Sequence, residues 1–186
     1  LDTFNDYARK QNEPWRVELL ARALALESVN PGVLGQRGLW FIGTIDEKSF
    51  HAFAAILDIA VNADGSYIIP DHETYLKRTI PTCILGPGFE LLGNILFHIN
   101  DLGLFGDLKL SQKHFPANEL FTASYGTRSF SAITKQELNF RGVILTNLGN
   151  TIAKLYEPKE NNLGSEIYDK FLNELRIRTL EIIEDI

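Results

Sequence analysis

The stretch FRGVILTNLGNTIAKLYE, residues Phe140–Glu157, constrains this chain more than any other. It reads as a short strand over Phe140–Leu145, a cap at Thr146 and a helix running to Pro158. Thr146 suits the cap because its hydroxyl can accept a hydrogen bond from an orphan amide two or three residues on. Upstream stands a second organising stretch, Pro87–Gly103, whose apolar Phe89, Leu92, Leu96, Ile99 and Leu102 repeat at helical spacing before Leu-Gly-Leu-Phe. Between the two lie strand-like runs at Lys109–Phe115, Leu120–Ser124 and Ser129–Thr134. They are separated by the turn-forming Pro116-Ala117-Asn118 and Tyr125-Gly126-Thr127.

That order, a helix, a small sheet, then a capped helix, is a winged-helix-like layout. The sequence predicts an α+β protein in three parts: a helical N-terminal part over 1–81, a winged-helix-like part over 82–158, and a linker with a tail helix over 159–186. In the first part Pro14 opens a helix whose Trp15, Leu19, Ala23 and Leu26 share a face, with Glu18 and Arg22 opposite. Asn30-Pro31-Gly32 stops it. A shorter helix is predicted over Gly35–Ile42, with Leu39 and Ile42 inward. Thr44-Ile45-Asp46-Glu47 reads as a capping box. It opens a helix that buries Phe50, Phe53, Leu57 and Val61, turns His51 and Asp58 outward, and ends at Asp64-Gly65-Ser66. Tyr67–Ile69 is a strand closed by Pro70. The tail helix, Ser165–Ile186, follows the polar linker KENNLGS.

Composition excludes several function classes. At 186 residues the chain can bury a real core. Its net charge of −6 and pI near 5.2 argue against a surface that is one phosphate cradle. The single Cys83 permits no intramolecular disulfide and fits a reducing compartment. No apolar run approaches the ~20 residues that span a bilayer. A cytoplasmic location is expected. A chain that begins at Leu1 and holds no Met is expected to be a fragment, a processed product or an incompletely recorded sequence.

The stretch PWRVELLARALALESVNPGVLGQRGLWFIGTIDEKSFHAF, Pro14–Phe53, resembles a bacterial domain-of-unknown-function family. The matching residues are Trp15, Leu19-Leu20-Ala21, Glu27, Pro31-Gly32, Arg37, Leu39, Glu47 and Phe53. The likeness returns at Leu102-Gly103-Leu104 and at Leu145-Thr146 with Gly149. Where that family usually has a hydroxyl residue before the Arg region, this chain has Gly35 and Gln36. The resemblance implies a bacterial origin and an accessory, phage-defence-like setting. It brings no catalytic residues.

No motif for chemistry stands out. Asp71-His72-Glu73 is the densest cluster of metal-ligand types, but adjacent residues of an extended chain point apart, and no CxxC, HExxH or HxH spacing occurs. Gly86-Pro87-Gly88 lacks the third glycine of a dinucleotide fingerprint, and Pro87 removes an amide that a phosphate would use. No G-x-S-x-G elbow is present. No catalytic residue, metal or cofactor is predicted.

Two kinds of surface are. The tail positions Tyr168, Leu172, Leu175, Ile182 and Ile186 keep near-heptad spacing, interrupted by Thr179, and predict a seam for a partner chain or a second copy. Leu85–Leu108 holds no Lys or Arg and three carboxylates, so that helix would repel phosphates. Lys109–Gly142 instead carries Lys109, Lys113, Arg128, Lys135 and Arg141 against Glu119 and Glu137, a candidate nucleic-acid contact through the sheet. The expected function is a non-catalytic interaction or assembly module, with nucleic-acid binding as the alternative.

Overall fold

The first helix, α1 (Pro14–Val29), starts where Pro14 costs no hydrogen bond. Leu19, Leu20 and Ala23 are buried, while Glu18 and Arg22 pair on the outside at 2.7 Å. Glu27, on its last turn, accepts from the amides of Gly32 and Leu34, each at 2.6 Å. Those amides lie in the turn that leads into α2 (Gly35–Thr44), so Glu27 fastens that turn to the end of α1. The same two bonds hold its carboxyl below the usual carboxylate range. Arg16 is buried and donates to the Ile42 carbonyl near the other end of α2, at 2.7 Å. The computed structural model that defines this architecture describes residues 13–70, 99–106, 112–176 and 179–185, with the backbone alone for Arg141 and 179–185.

The predicted capping box is displaced. Thr44 ends α2, its hydroxyl donating back to the Trp40 carbonyl at 2.9 Å. The cap of α3 (Glu47–Leu57) is Asp46, which accepts from the Ser49 amide at 2.9 Å. Ile45 is the reason. It is fully buried between the two helices, so the break falls after it, on a residue that caps at least as well as Thr.

The helix also ends earlier than expected, at Leu57. Val61–Ala63 is a strand, β1, paired in a tight hairpin with β2 (Ser66–Pro70). Asp64 and Gly65 take φ of 48° and 72°, the left-handed pair of a type I′ turn, for which Asp-Gly is a preferred sequence. Four more strands follow: β3 (Gln112–Phe115), β4 (Leu120–Tyr125), β5 (Arg128–Thr134) and β6 (Leu138–Ile144). These match the three predicted strand runs and the strand before Thr146. Thr146 caps α4 (Asn147–Ala153) as expected, accepting from Gly149 N at 3.1 Å. Only the end of the predicted Pro87–Gly103 helix falls within the described residues, as a helical turn at 99–101.

The tail departs most from expectation. It is a helix, α5 (Asn162–Arg176), followed by a strand, β7 (Thr179–Asp185). Thr179, which breaks the heptad spacing, begins that strand. The run Thr-Leu-Glu-Ile-Ile suits an extended edge, and pairing with β5 satisfies backbone groups that would otherwise stand open.

The seven strands of the described residues form one antiparallel sheet in the order β3-β6-β2-β1-β4-β5-β7. The β1–β2 hairpin is its centre. The expected partition at 81 therefore runs through a single sheet, because 61–70 sits between strands drawn from 112–144. One sheet face, with Phe121, Ala123, Phe130, Ala132 and Phe140, lies against α5 through Tyr168 and Phe171. Near β2 and β6 the other face is covered too, since Ile69 and Val143 are fully buried. Gly149 lets α4 approach the segment at Leu104 closely: a Cβ on it would overlap the Leu104 carbonyl oxygen. The α+β class stands, with helices in the N-terminal part, an antiparallel sheet and a C-terminal helix. Among the described residues no helix is long and apolar enough to cross a membrane.

Candidate functional site

Between α1, α3 and the connection that leads from α4 to α5 lies a cleft of about 440 Å³. Trp15, Leu19 and Arg22 come to it from one wall, Phe50, His51 and Ala54 from the next, and Leu155–Lys159 from the third. Helical spacing explains the first two walls. Positions 15, 19 and 22 share a face of α1, and 50, 51 and 54 share a face of α3. The floor is aromatic: Trp15 stacks on Phe50 at 5.5 Å, and Tyr156 meets Phe50 edge-on at 6.4 Å. The volume lies in the usual range for sites that hold a small ligand or one anchoring side chain.

Asp58 holds the third wall in place. Its carboxylate accepts from the Tyr156 hydroxyl at 2.9 Å and from the Lys159 amide at 2.7 Å. Its backbone carbonyl accepts from the Tyr125 hydroxyl at 2.9 Å and from Asn161 Nδ2 at 3.0 Å. Tyr125 in turn accepts from the Asn161 amide at 2.9 Å. Asp58 caps the C-terminus of α3, where the helix dipole disfavours a negative charge. The two donors on the carboxylate offset that cost, and with Asn161 they fasten 156–161 to the end of the helix.

Burial and Asp58 together determine the acid–base behaviour here. Burial is the first cause that raises the phenol of Tyr156, followed by its bond to Asp58 and then by Asp58's charge. Burial also raises Tyr125 and Tyr67. A phenol raised in the folded state gives stability that is complete below its unfolded pKa of about 10 and is lost as pH rises through the folded value. These three of the six tyrosines are therefore expected to ionise only as the fold is lost, when phenolate absorbance and near-ultraviolet dichroism are followed together. In Asp58→Asn, one phenol should titrate earlier. Reversible ionisation of all six near the ordinary value, with the dichroism intact, would contradict the geometry.

His51 stands at the mouth, 3.6 Å from Glu47, beyond hydrogen-bond range. Both His51 and Lys159 also border a second hollow, with Lys48 and Glu47, on the far side of Tyr156. Among the described residues no group of three or more His, Cys, Asp or Glu is placed to hold a metal ion. Asp71, His72, Glu73 and Cys83 lie outside those residues.

The residues singled out from the sequence sit elsewhere. Tyr168, Leu172 and Leu175 are buried in the chain's own core, so the predicted partner seam is closed from within. Their spacing is that of a helix docked on its own sheet. Ile182 is on β7, in register with Ala132, and Ile186 is outside the described residues. The candidate phosphate contacts fall into separated groups. Lys113 is on β3 and Arg128 on β5, five strand spacings or roughly 24 Å apart. Lys135 lies one strand length, about 23 Å, from Arg128. Arg128 is bound to Asp169 at 2.6 Å and lies over the Tyr168 ring. Lys113 lies 5.9 Å from the Phe115 ring. Arg141 is on β6, in register with Gln112, and Lys109 is outside the described residues.

Sequence reading placed Trp15 and Phe50 on inward faces and His51 and Asp58 on an outward one. It had no means of joining them to Tyr156 and Lys159, about a hundred residues on. Comparison of the chain with protein-family models, with curated proteins and with solved structures found no match.

Proposed function

We propose that this protein is a non-catalytic interaction module, and that the cleft between α1, α3 and 155–159 seats a segment of a protein partner. The observation that carries this reading is an aromatic-floored cleft whose third wall is held by the Asp58 bonds. A recess fixed before binding spares a partner the ordering cost of forming it, and buried aromatic anchors supply most of the energy in such contacts. The family resemblance suggests a bacterial accessory system of the phage-defence kind, and the lone Cys83 suits the reducing cytoplasm. Nucleic-acid contact through the sheet is the competing reading; Lys113 and Arg141 are neighbours on β3 and β6, but Arg128 lies more than about 20 Å from Lys113, about two Debye lengths at physiological salt.

The test uses a library of short displayed peptides selected on the wild-type protein and on His51→Trp. His51 is exposed, so tryptophan there fills the mouth of the cleft and leaves the core untouched. The expected result is a set of peptides with an apolar anchor that lose at least about tenfold in affinity for the variant. Enriched peptides that bind both proteins equally would place recognition elsewhere, and failure to enrich any sequence would remove the reading.

A further inference from the structure

The charges around the cleft narrow the kind of segment it takes. Of the carboxylates that border the cleft and its neighbouring hollow, Glu18 is bound by Arg22. The Asp58 carboxylate accepts from Tyr156 and Lys159. Glu47, beyond hydrogen-bond range of His51, and Glu157 are the remaining ones. Three cations border the same space. Lys48 and Lys159 have no ion-pair partner among the described residues. Of the five N–H donors on Arg22, one goes to Glu18 and one to the Leu155 carbonyl at 3.3 Å. Lys159 is the best placed. The bond from its amide to Asp58 fixes its backbone at the boundary of both hollows, while the residue remains exposed.

We infer that the cleft selects an acidic–apolar peptide segment: an apolar side chain seated against Trp15, Phe50 and Leu155, with a neighbouring carboxylate held by Lys159 and Arg22. This inference rests on the reading of the cleft as a recognition site. Discrimination comes from both parts of the segment. The aromatic floor rewards burial of an apolar body. A carboxylate meeting an exposed ammonium and unused guanidinium donors gains charge-assisted bonds that a neutral analogue cannot form.

Two dyes of nearly the same shape separate these contributions. Anilinonaphthalene sulfonate carries an anion, and phenylnaphthylamine is its neutral counterpart. Both are titrated into Trp40→Phe protein, in which Trp15 is the only tryptophan and reports proximity by energy transfer. The sulfonate is expected to bind about tenfold more tightly than the neutral dye, and Lys159→Gln to remove most of that gap while leaving the neutral dye unaffected. Added salt should narrow the gap as well. Equal binding of the two dyes, with both excluded by His51→Trp, would overturn the anionic preference and leave the recognition site standing. Dye binding that His51→Trp does not change would overturn both.

Discussion

A chain cut after Lys159 is expected to show no cooperative urea transition, because the segment it loses completes the core. The cut removes Ile167, Tyr168, Phe171, Leu172 and Leu175, all buried, and exposes the sheet face they cover. At about 1.5–3 kcal/mol for each large buried side chain, the loss is on the order of 10 kcal/mol. A whole domain is typically stable by about 5–15 kcal/mol. The cut also removes β7 and leaves β5 as an open edge, a template for aggregation. Light scattering should show aggregates, and far-ultraviolet dichroism a loss of strand signal. A monomer that melts like the full chain would mean that α5 is dispensable and would reopen the tail as a partner seam.

Phe130→Ala is expected to cost about 3–5 kcal/mol, the range for deleting a core phenyl ring. Phe130 is fully buried and sits where β5 meets α5. Its ring centroid lies 6.0 Å from Phe121, 5.8 Å from Tyr168 and 6.1 Å from Phe171. No neighbour can fill the space without giving up its own ring contact. Urea denaturation should show a lower midpoint with an unchanged slope, the mark of lost stability within the same two-state fold. The control is Leu120→Ala on the adjacent strand, where the side chain is 64% exposed and the cost should stay within about 0.5 kcal/mol. A Phe130→Ala cost near the control's would mean that α5 does not pack on this face.

Much of the architecture was legible locally. Thr146 followed by Gly149 marked a capped helix after a strand, and the structure has both the cap bond and the strand. The β4–β5 hairpin was legible in Tyr125-Gly126-Thr127, because glycine readily takes the φ of 57° that the turn needs. The Asp64-Gly65 hairpin was equally visible in principle. It was missed because Val61 continues the apolar rhythm of Phe50, Phe53 and Leu57, so a helix period ran on past Leu57 into a strand.

The cleft was not legible. Its walls come from 15–22, 50–54 and 155–159, and a single sequence holds no signal for which distant faces meet. The basic residues of 109–142 raised the opposite problem. They are close in sequence, yet β3 pairs with β6 while β5 lies near the other end of the sheet, so Lys113 and Arg141 are neighbours and Arg128 is far from both.

The sequence by itself determined the elements that depend on neighbours along the chain: where α1 starts, where Thr146 caps, where glycine turns the hairpins, and which faces are apolar. Only the tertiary structure decided what those faces meet. Tyr168, Leu172 and Leu175 would show one spacing on a helix docked at home and on one that seeks a partner. The difference lies in whether a complementary apolar surface exists within reach. Here the surface is the face of Phe121, Phe130 and Phe140, assembled from three strands of the sheet. Burying the stripe there removes apolar area from water without the loss of translational freedom that a second chain would bring.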